Sequence, residues 1–136
     1  MSAADSFFDT NIVLYLLSAD AVKADRAEQL IASGGQISVQ VLNEVAAVAR
    51  RKLAMSWREI REVIKHVRSV CHVTPLTIET HERGLQVAEH LGLSVYGGMI
   101  VASALLSGCA ILYTEDLQAG QVIDRRLTIR NPFALG

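Results

Sequence analysis

Three acidic sites stand where chemistry can happen. Asp9-Thr10-Asn11 follows directly on the short apolar run Phe7-Phe8, which has the character of a first strand. Thr114-Glu115-Asp116 follows Ala110 to Tyr113, a continuous apolar run of strand length, as expected for the middle of a parallel sheet. In open α/β sheets ligands sit beyond the carboxyl ends of strands, so both acidic sites fall at the functional edge. Glu44 lies three residues after Val41 and four before Val48, which puts it on the same helix face as an apolar stripe. A carboxylate there is costly unless a cation or hydrogen bonds compensate it. Each site also has a plain structural reading. Asp9 or Asn11 can cap the helix that follows, Glu44 can bend out to water, and Asp116 can belong to a surface turn. Together, clustered acids repel one another without a cation. Magnesium takes oxygen ligands and keeps several waters, so a few carboxylates suffice. Bound there, it would activate water and stabilise charge on phosphate oxygens.

The elements that must position these acids can be read from spacing. Ile12 to Leu17 reads as a helical turn or two, and Ala21 to Ala32 as a helix ended by Gly34-Gly35. Ile37-Ser38-Val39 reads as a second strand, with a helix from Gln40 whose stripe is Val41, Val45, Val48 and Ala49, widened by Leu42, Ala46 and Leu53. Trp57 to Val70 is a helix with Ile60, Val63, Ile64 and Val67 inward. Cys71-His72-Val73 is a third strand, stopped by Pro75. Thr77 to Leu91 is a helix closed by Gly92. Met99 to Ser107, apolar nearly all round, is a buried helix. Ile123 to Ile129 is expected as a last edge strand. Strands alternating with helices give an α/β fold, a parallel central sheet of 4–5 strands flanked by helices on both faces. The 136 residues are read as a single domain, 1–136.

Composition narrows the function. Hydrophobic residues make up 51% and charged residues 20%, as in a globular chain, and only 5% is aromatic, so the core is aliphatic. A formal net charge of −1 means that any grip on a phosphate backbone is local, such as a bound cation supplies. Cys71 and Cys109 fit no metal spacing and read as buried, reduced thiols of a cytoplasmic protein. The start of the chain lacks the basic region of a signal peptide, and Met99 to Tyr113 is too short for a spanning helix, so no membrane is expected. His66, His72, His81 and His90 form no ligand spacing. Arg50-Arg51-Lys52 complements a helix C-terminus, with a grip on RNA phosphate as the alternative. Arg125, Arg126 and Arg130 read as a solvated face, with contact to RNA or an antitoxin as the alternative. Gly97-Gly98 is no phosphate loop, because no Gly-Lys-Ser/Thr follows.

Phe7-Phe8-Asp9-Thr10-Asn11, Leu42-Asn43-Glu44-Val45 and Thr114-Glu115-Asp116 resemble the first, second and last acidic motifs of the PIN-domain family, and within it the VapC-type toxins of bacterial and archaeal toxin–antitoxin pairs. The order and spacing match from residue 7 to about residue 133, and Ile129-Arg130-Asn131-Pro132-Phe133 resembles the ending of many members. The resemblance implies a magnesium-dependent endoribonuclease, with manganese as a substitute. Asp9, Glu44 and Asp116 would be its catalytic and metal-binding acids, supported by Asn11, Thr114 and Glu115. It also implies a homodimer, an RNA substrate and a small antitoxin whose tail covers the site.

One departure matters. In the stretch Leu93 to Ala102 the family typically has an Asp after the Tyr, and here that position is Gly97. The expected Asp would stand at the N-terminus of the buried helix, where Gly is an acceptable N-cap. Gly97 should then spare the fold and remove charge from the metal site, either disabling the enzyme or leaving it to work slowly. The alternative function is a catalytically inactive module of the same fold that binds an antitoxin or RNA. A phosphoryl-accepting receiver domain fits less well, because it would need a late lysine and the lysines are Lys23, Lys52 and Lys65.

Overall fold

The computed structural model describes residues 5–133. The expected domain 1–136 therefore has its first four and last three residues outside the described ones. The elements run β1 (Ser6–Phe8), α1 (Thr10–Leu14), a 3₁₀ turn (Tyr15–Leu17), α2 (Ala21–Ala32), β2 (Gly35–Ser38) and α3 (Val39–Arg51). They continue with α4 (Trp57–Val70), β3 (Cys71–Thr74), α5 (Ile78–Leu91), α6 (Val95–Leu106), β4 (Ile111–Tyr113), β5 (Val122–Ile123) and β6 (Leu127–Arg130).

The sheet order is β3-β2-β1-β4-β6-β5. All neighbours are parallel except β5 with β6. Side chains alternate between the two faces of a strand. Phe7 and Phe8 are both 0% exposed, as is Leu112 beside a buried Ile111, so both faces of the central strands are covered. The chain leaves β1 toward β2 and β3, then returns to β4 on the other side of β1. That reversal makes the carboxyl end of the β1/β4 pair the switch point, where open α/β sheets leave a crevice. Phe8 pairs with Tyr113 in register, so Asp9 and Thr114 leave the sheet side by side.

The sheet has six strands among the described residues, not 4–5. The run expected as one edge strand, Ile123 to Ile129, is a hairpin. Its turn is made by Asp124 and Arg125, with φ of 51° and 60°, and closed by the Arg126 N–H on the Ile123 carbonyl at 3.1 Å. Positive φ at both central residues matches the strand twist, but glycine or asparagine usually signals such a turn, and neither is present. β6 is consequently an inner strand, and β5 takes the edge.

Two helices begin earlier than their apolar pattern shows. Ser38 ends β2 and caps α3, its hydroxyl accepting the Val41 N–H at 3.4 Å, so Val39 is helical and not a strand residue. Ser94 caps α6 and accepts the Gly97 N–H at 3.0 Å. Gly97 is therefore the third residue of α6 and not its cap, because a serine hydroxyl satisfies that free donor and glycine has nothing to offer it. Both cysteines are buried thiols, and burial pushes each up to about 11. The four histidines are exposed. Among the described residues no single helix is long and apolar enough to cross a membrane.

Candidate active site

A cleft of about 910 Å³ opens at the switch point, and Asp9, Glu44, Asp116, Asn11 and Gly97 all line it. β1 delivers Asp9, whose N–H donates to the Tyr113 carbonyl at 3.0 Å and carries the sheet one residue past the strand. The Asp9 carboxylate also caps α1, accepting the Thr10 N–H at 2.6 Å through Oδ1. The capping and cleft readings of Asp9 are thus both true.

One chain of hydrogen bonds joins the three acids. Thr114, 0% exposed, donates its hydroxyl to Asp9 Oδ2 at 2.7 Å. The Thr114 hydroxyl oxygen accepts the Asp116 N–H at 3.0 Å and Asn11 Nδ2 at 3.3 Å. A hydroxyl has one proton and two lone pairs, so Thr114 is fully used. On the other side, Thr10 donates its hydroxyl to Glu44 Oε2 at 2.5 Å. Glu44 sits at the edge of the α3 stripe, partly buried, while Val41, Val45 and Ala49 form the stripe's buried centre. Sequence reasoning assigned no role to Thr10. Its signal was present, since it lies between Asp9 and Asn11 in the motif.

Glu115 goes elsewhere. It does not line the cleft, and its carboxylate takes a hydrogen bond from the Tyr15 hydroxyl, which holds Tyr15 above its usual pKa.

Burial raises Asp9 from 3.8 to about 6, and the charges of Asp116 and Glu44 add to the rise, against the hydrogen bonds from Thr114 and Thr10. A carboxylate so placed lacks a counter-charge. Asn11 Oδ1 is also buried with no partner. These oxygen groups suit a hard divalent cation. Among the described residues, however, no three of His, Cys, Asp and Glu form a group that could hold one metal ion. The cleft therefore fits a hydrated ion touched by one or two carboxylates, and does not present a ready set of three. Gly97 is where a further carboxylate could complete it. Its φ is ordinary, and a Cβ there would meet only Ser94 Oγ at 3.3 Å and Leu93 Cβ at 3.7 Å.

A mostly parallel sheet with acids gathered in a cleft at its switch point defines the class, an α/β domain. The PIN domain profile matches residues 6–123, and the chain belongs to that family. No curated protein matches it by sequence. Its fold is similar to that in a toxin–antitoxin complex from Klebsiella pneumoniae (TM-score 0.72, 20% identity, 96% of this chain and 99% of that one). It is also similar to Mycobacterium tuberculosis VapC20, a Sarcin-Ricin loop cleaving toxin (TM-score 0.66, 20% identity, 82% and 91%). A third similar structure is VapBC2 from Rickettsia felis bound to a DNA fragment from their promoter (TM-score 0.65, 18% identity, 93% and 97%).

Proposed function

We propose that this chain is a magnesium-dependent endoribonuclease of the toxin kind, slowed by the glycine at position 97 and held in check by a small antitoxin protein. The observation that carries the reading is the convergence of Asp9, Glu44 and Asp116, distant in sequence, on one cleft through Thr10 and Thr114. Relatives of the same fold that cleave RNA or pair with an antitoxin support it.

In this reading Asp9, Glu44 and Asp116 would hold the ion. Bound magnesium, or manganese in its place, would polarise the phosphate and acidify a water. The rest falls to the chain. Thr114 fixes the Asp9 carboxylate and the backbone of Asp116. Thr10 occupies one Glu44 oxygen and leaves the other for water. Asn11 Oδ1 is an unused acceptor at the same spot.

A magnesium titration with labelled RNA tests this. Gly97→Asp should raise cleavage at least about tenfold over the parent chain, the lower end of what a missing group near a metal costs. Asp9→Asn in that background should abolish it. A folded Gly97→Asp protein with no gain at any magnesium concentration would sink the proposal. The non-catalytic reading is favoured by the vacant acidic position and the absence of a ready three-acid set. It requires that neither chain cleave while binding to an antitoxin or RNA persists.

A further inference from the structure

The net charge of −1 conceals a strong segregation. Residues 50–68 hold seven of the thirteen lysines and arginines and two of the fourteen acids, a net of +5 against −6 for the rest of the chain. One of those two acids is Glu59, whose carboxylate closes the capping box of α4 on the Ser56 N–H at 2.9 Å.

Arg58, Arg61, Lys65 and Arg68 follow one another along α4 at intervals of three, four and three residues. That spacing sets them in one row on one helix face, about 15 Å long. All four are exposed, and none makes an ion pair or hydrogen bond among the described residues. Glu62, the second acid, lies within helical reach of Arg58 and Lys65 and pairs with neither. α4 packs against α3 and β3, and the only acid on those two elements is Glu44, which lines the cleft. The row does not serve the helix either. Like charges three and four residues apart repel, and Arg58 stands in the first turn, where the helix dipole disfavours a cation. Such a row suits a partner that brings the negative charge.

The row starts next to the cleft. Arg50, at the end of α3, donates to the Met55 carbonyl at 3.0 Å and lies over the Trp57 ring at 4.6 Å, which ties the end of α3 to the start of α4. Its neighbour Arg51 lines the cleft.

We propose that the outer face of α4 is a docking surface outside the cleft, which grips the phosphate backbone of a double-stranded RNA stem. The choice of RNA rests on the nuclease reading of the acids. Phosphate contacts fix position and carry no sequence, and the row offers cations alone. Surfaces for single strands add aromatic faces on which bases stack. The ring at the head of this row, Trp57, already has Arg50 over it. A stem keeps its bases stacked inside and presents ordered phosphates.

Fluorescence anisotropy in EDTA tests the proposal without cleavage. The probe is a fluorescein-labelled RNA hairpin with a stem of about 16 base pairs, the span of one double-strand-binding module. An unpaired RNA of the same length and a DNA duplex of the stem's sequence are titrated beside it at several salt concentrations. The full chain carrying Arg58→Ala, Arg61→Ala, Lys65→Ala and Arg68→Ala together should bind the stem at least about tenfold more weakly, with a salt slope lower by about 3. The chain carrying Arg58→Lys, Arg61→Lys, Lys65→Arg and Arg68→Lys keeps the charges and should bind as the parent does. The proposal is overturned if the folded alanine variant binds the stem as well as the parent, or if the parent does not bind it. It is overturned too if the variant loses as much affinity for the unpaired strand, or if the parent prefers the DNA duplex. A loss confined to polyglutamate, with the stem unaffected, would give the face to an acidic protein instead. An inactive Gly97→Asp protein would defeat the nuclease reading and leave the stem titration standing. An unchanged titration would defeat this surface alone.

Discussion

Asp9 carries the electrical strain of the site. Its carboxyl titrates near 6 in the folded chain, chiefly through burial, against 3.8 for the free group. Between those values the folded state holds a proton that the unfolded state has lost, so metal-free stability falls as pH rises from about 4 to about 6. The gap corresponds to about 3 kcal/mol of destabilisation at neutral pH, as an order of magnitude. Asp9→Asn keeps the shape and removes the charge. Urea unfolding at pH 5 and pH 7.5 in EDTA should therefore show a smaller drop for the variant than for the parent. Magnesium should narrow the parent's drop, because a cation favours the ionised form. Equal drops in both proteins would mean that the Asp9 charge is not buried as the structure places it.

α6 shows why adjacent glycines in one element need not mean the same thing. A Cβ on Gly98 would stand 2.3 Å from the Gly84 carbonyl and 2.8 Å from Ala88 Cβ, both on α5. Gly84 is in turn packed against Met99. The two helices touch backbone to backbone there, and Gly98→Ala should cost about 1–3 kcal/mol by overpacking. Gly97 has an ordinary φ, and a Cβ there is crowded only by the rotatable Ser94 hydroxyl at 3.3 Å, so with that hydroxyl shifted Gly97→Ala should stabilise by up to about 1 kcal/mol through helix propensity. Denaturant midpoints moving in opposite directions would confirm the split, and two equal losses would refute it. No backbone contact demands a glycine at 97, whereas the Gly84 carbonyl demands one at 98.

At the scale of the molecule, the end of the described chain is strapped to its beginning. Phe133 packs on Tyr15 at 4.5 Å between ring centres, and Lys23 Nζ lies over the Tyr15 ring at 4.9 Å. Arg26 donates to the Pro132 carbonyl at 3.2 Å. Tyr15 also holds Glu115, the neighbour of Asp116. The strap thus links the closing segment, the 3₁₀ turn and the loop of the last acid. Phe133→Ala should lower Tm by several degrees, in keeping with about 1–2 kcal/mol for a half-buried aromatic contact in a domain of this size. It should also increase amide exchange at Glu115 and Asp116. Protection at those two amides unaffected by the substitution would show that the strap does not reach the site.

Much of this was legible in the residue order. Hydrophobic period marked α4 and α5 nearly to the residue, since a 3.6 repeat with clear caps depends only on local geometry. The acids after β1 and β4 were legible because strand ends in a parallel sheet share one edge. Local pattern could not reveal the Asp124-Arg125 turn, which uses residues that rarely adopt positive φ and holds them there through the pairing of β5 with β6. Nor could it turn Glu115 toward Tyr15. Those outcomes depend on which surfaces meet once the chain has closed, and contacts between residues far apart in sequence leave no periodic trace. The sequence by itself determined the elements and the edge at which the acids gather. Tertiary packing decided which side chains enter the cleft, and that Gly97 lines it.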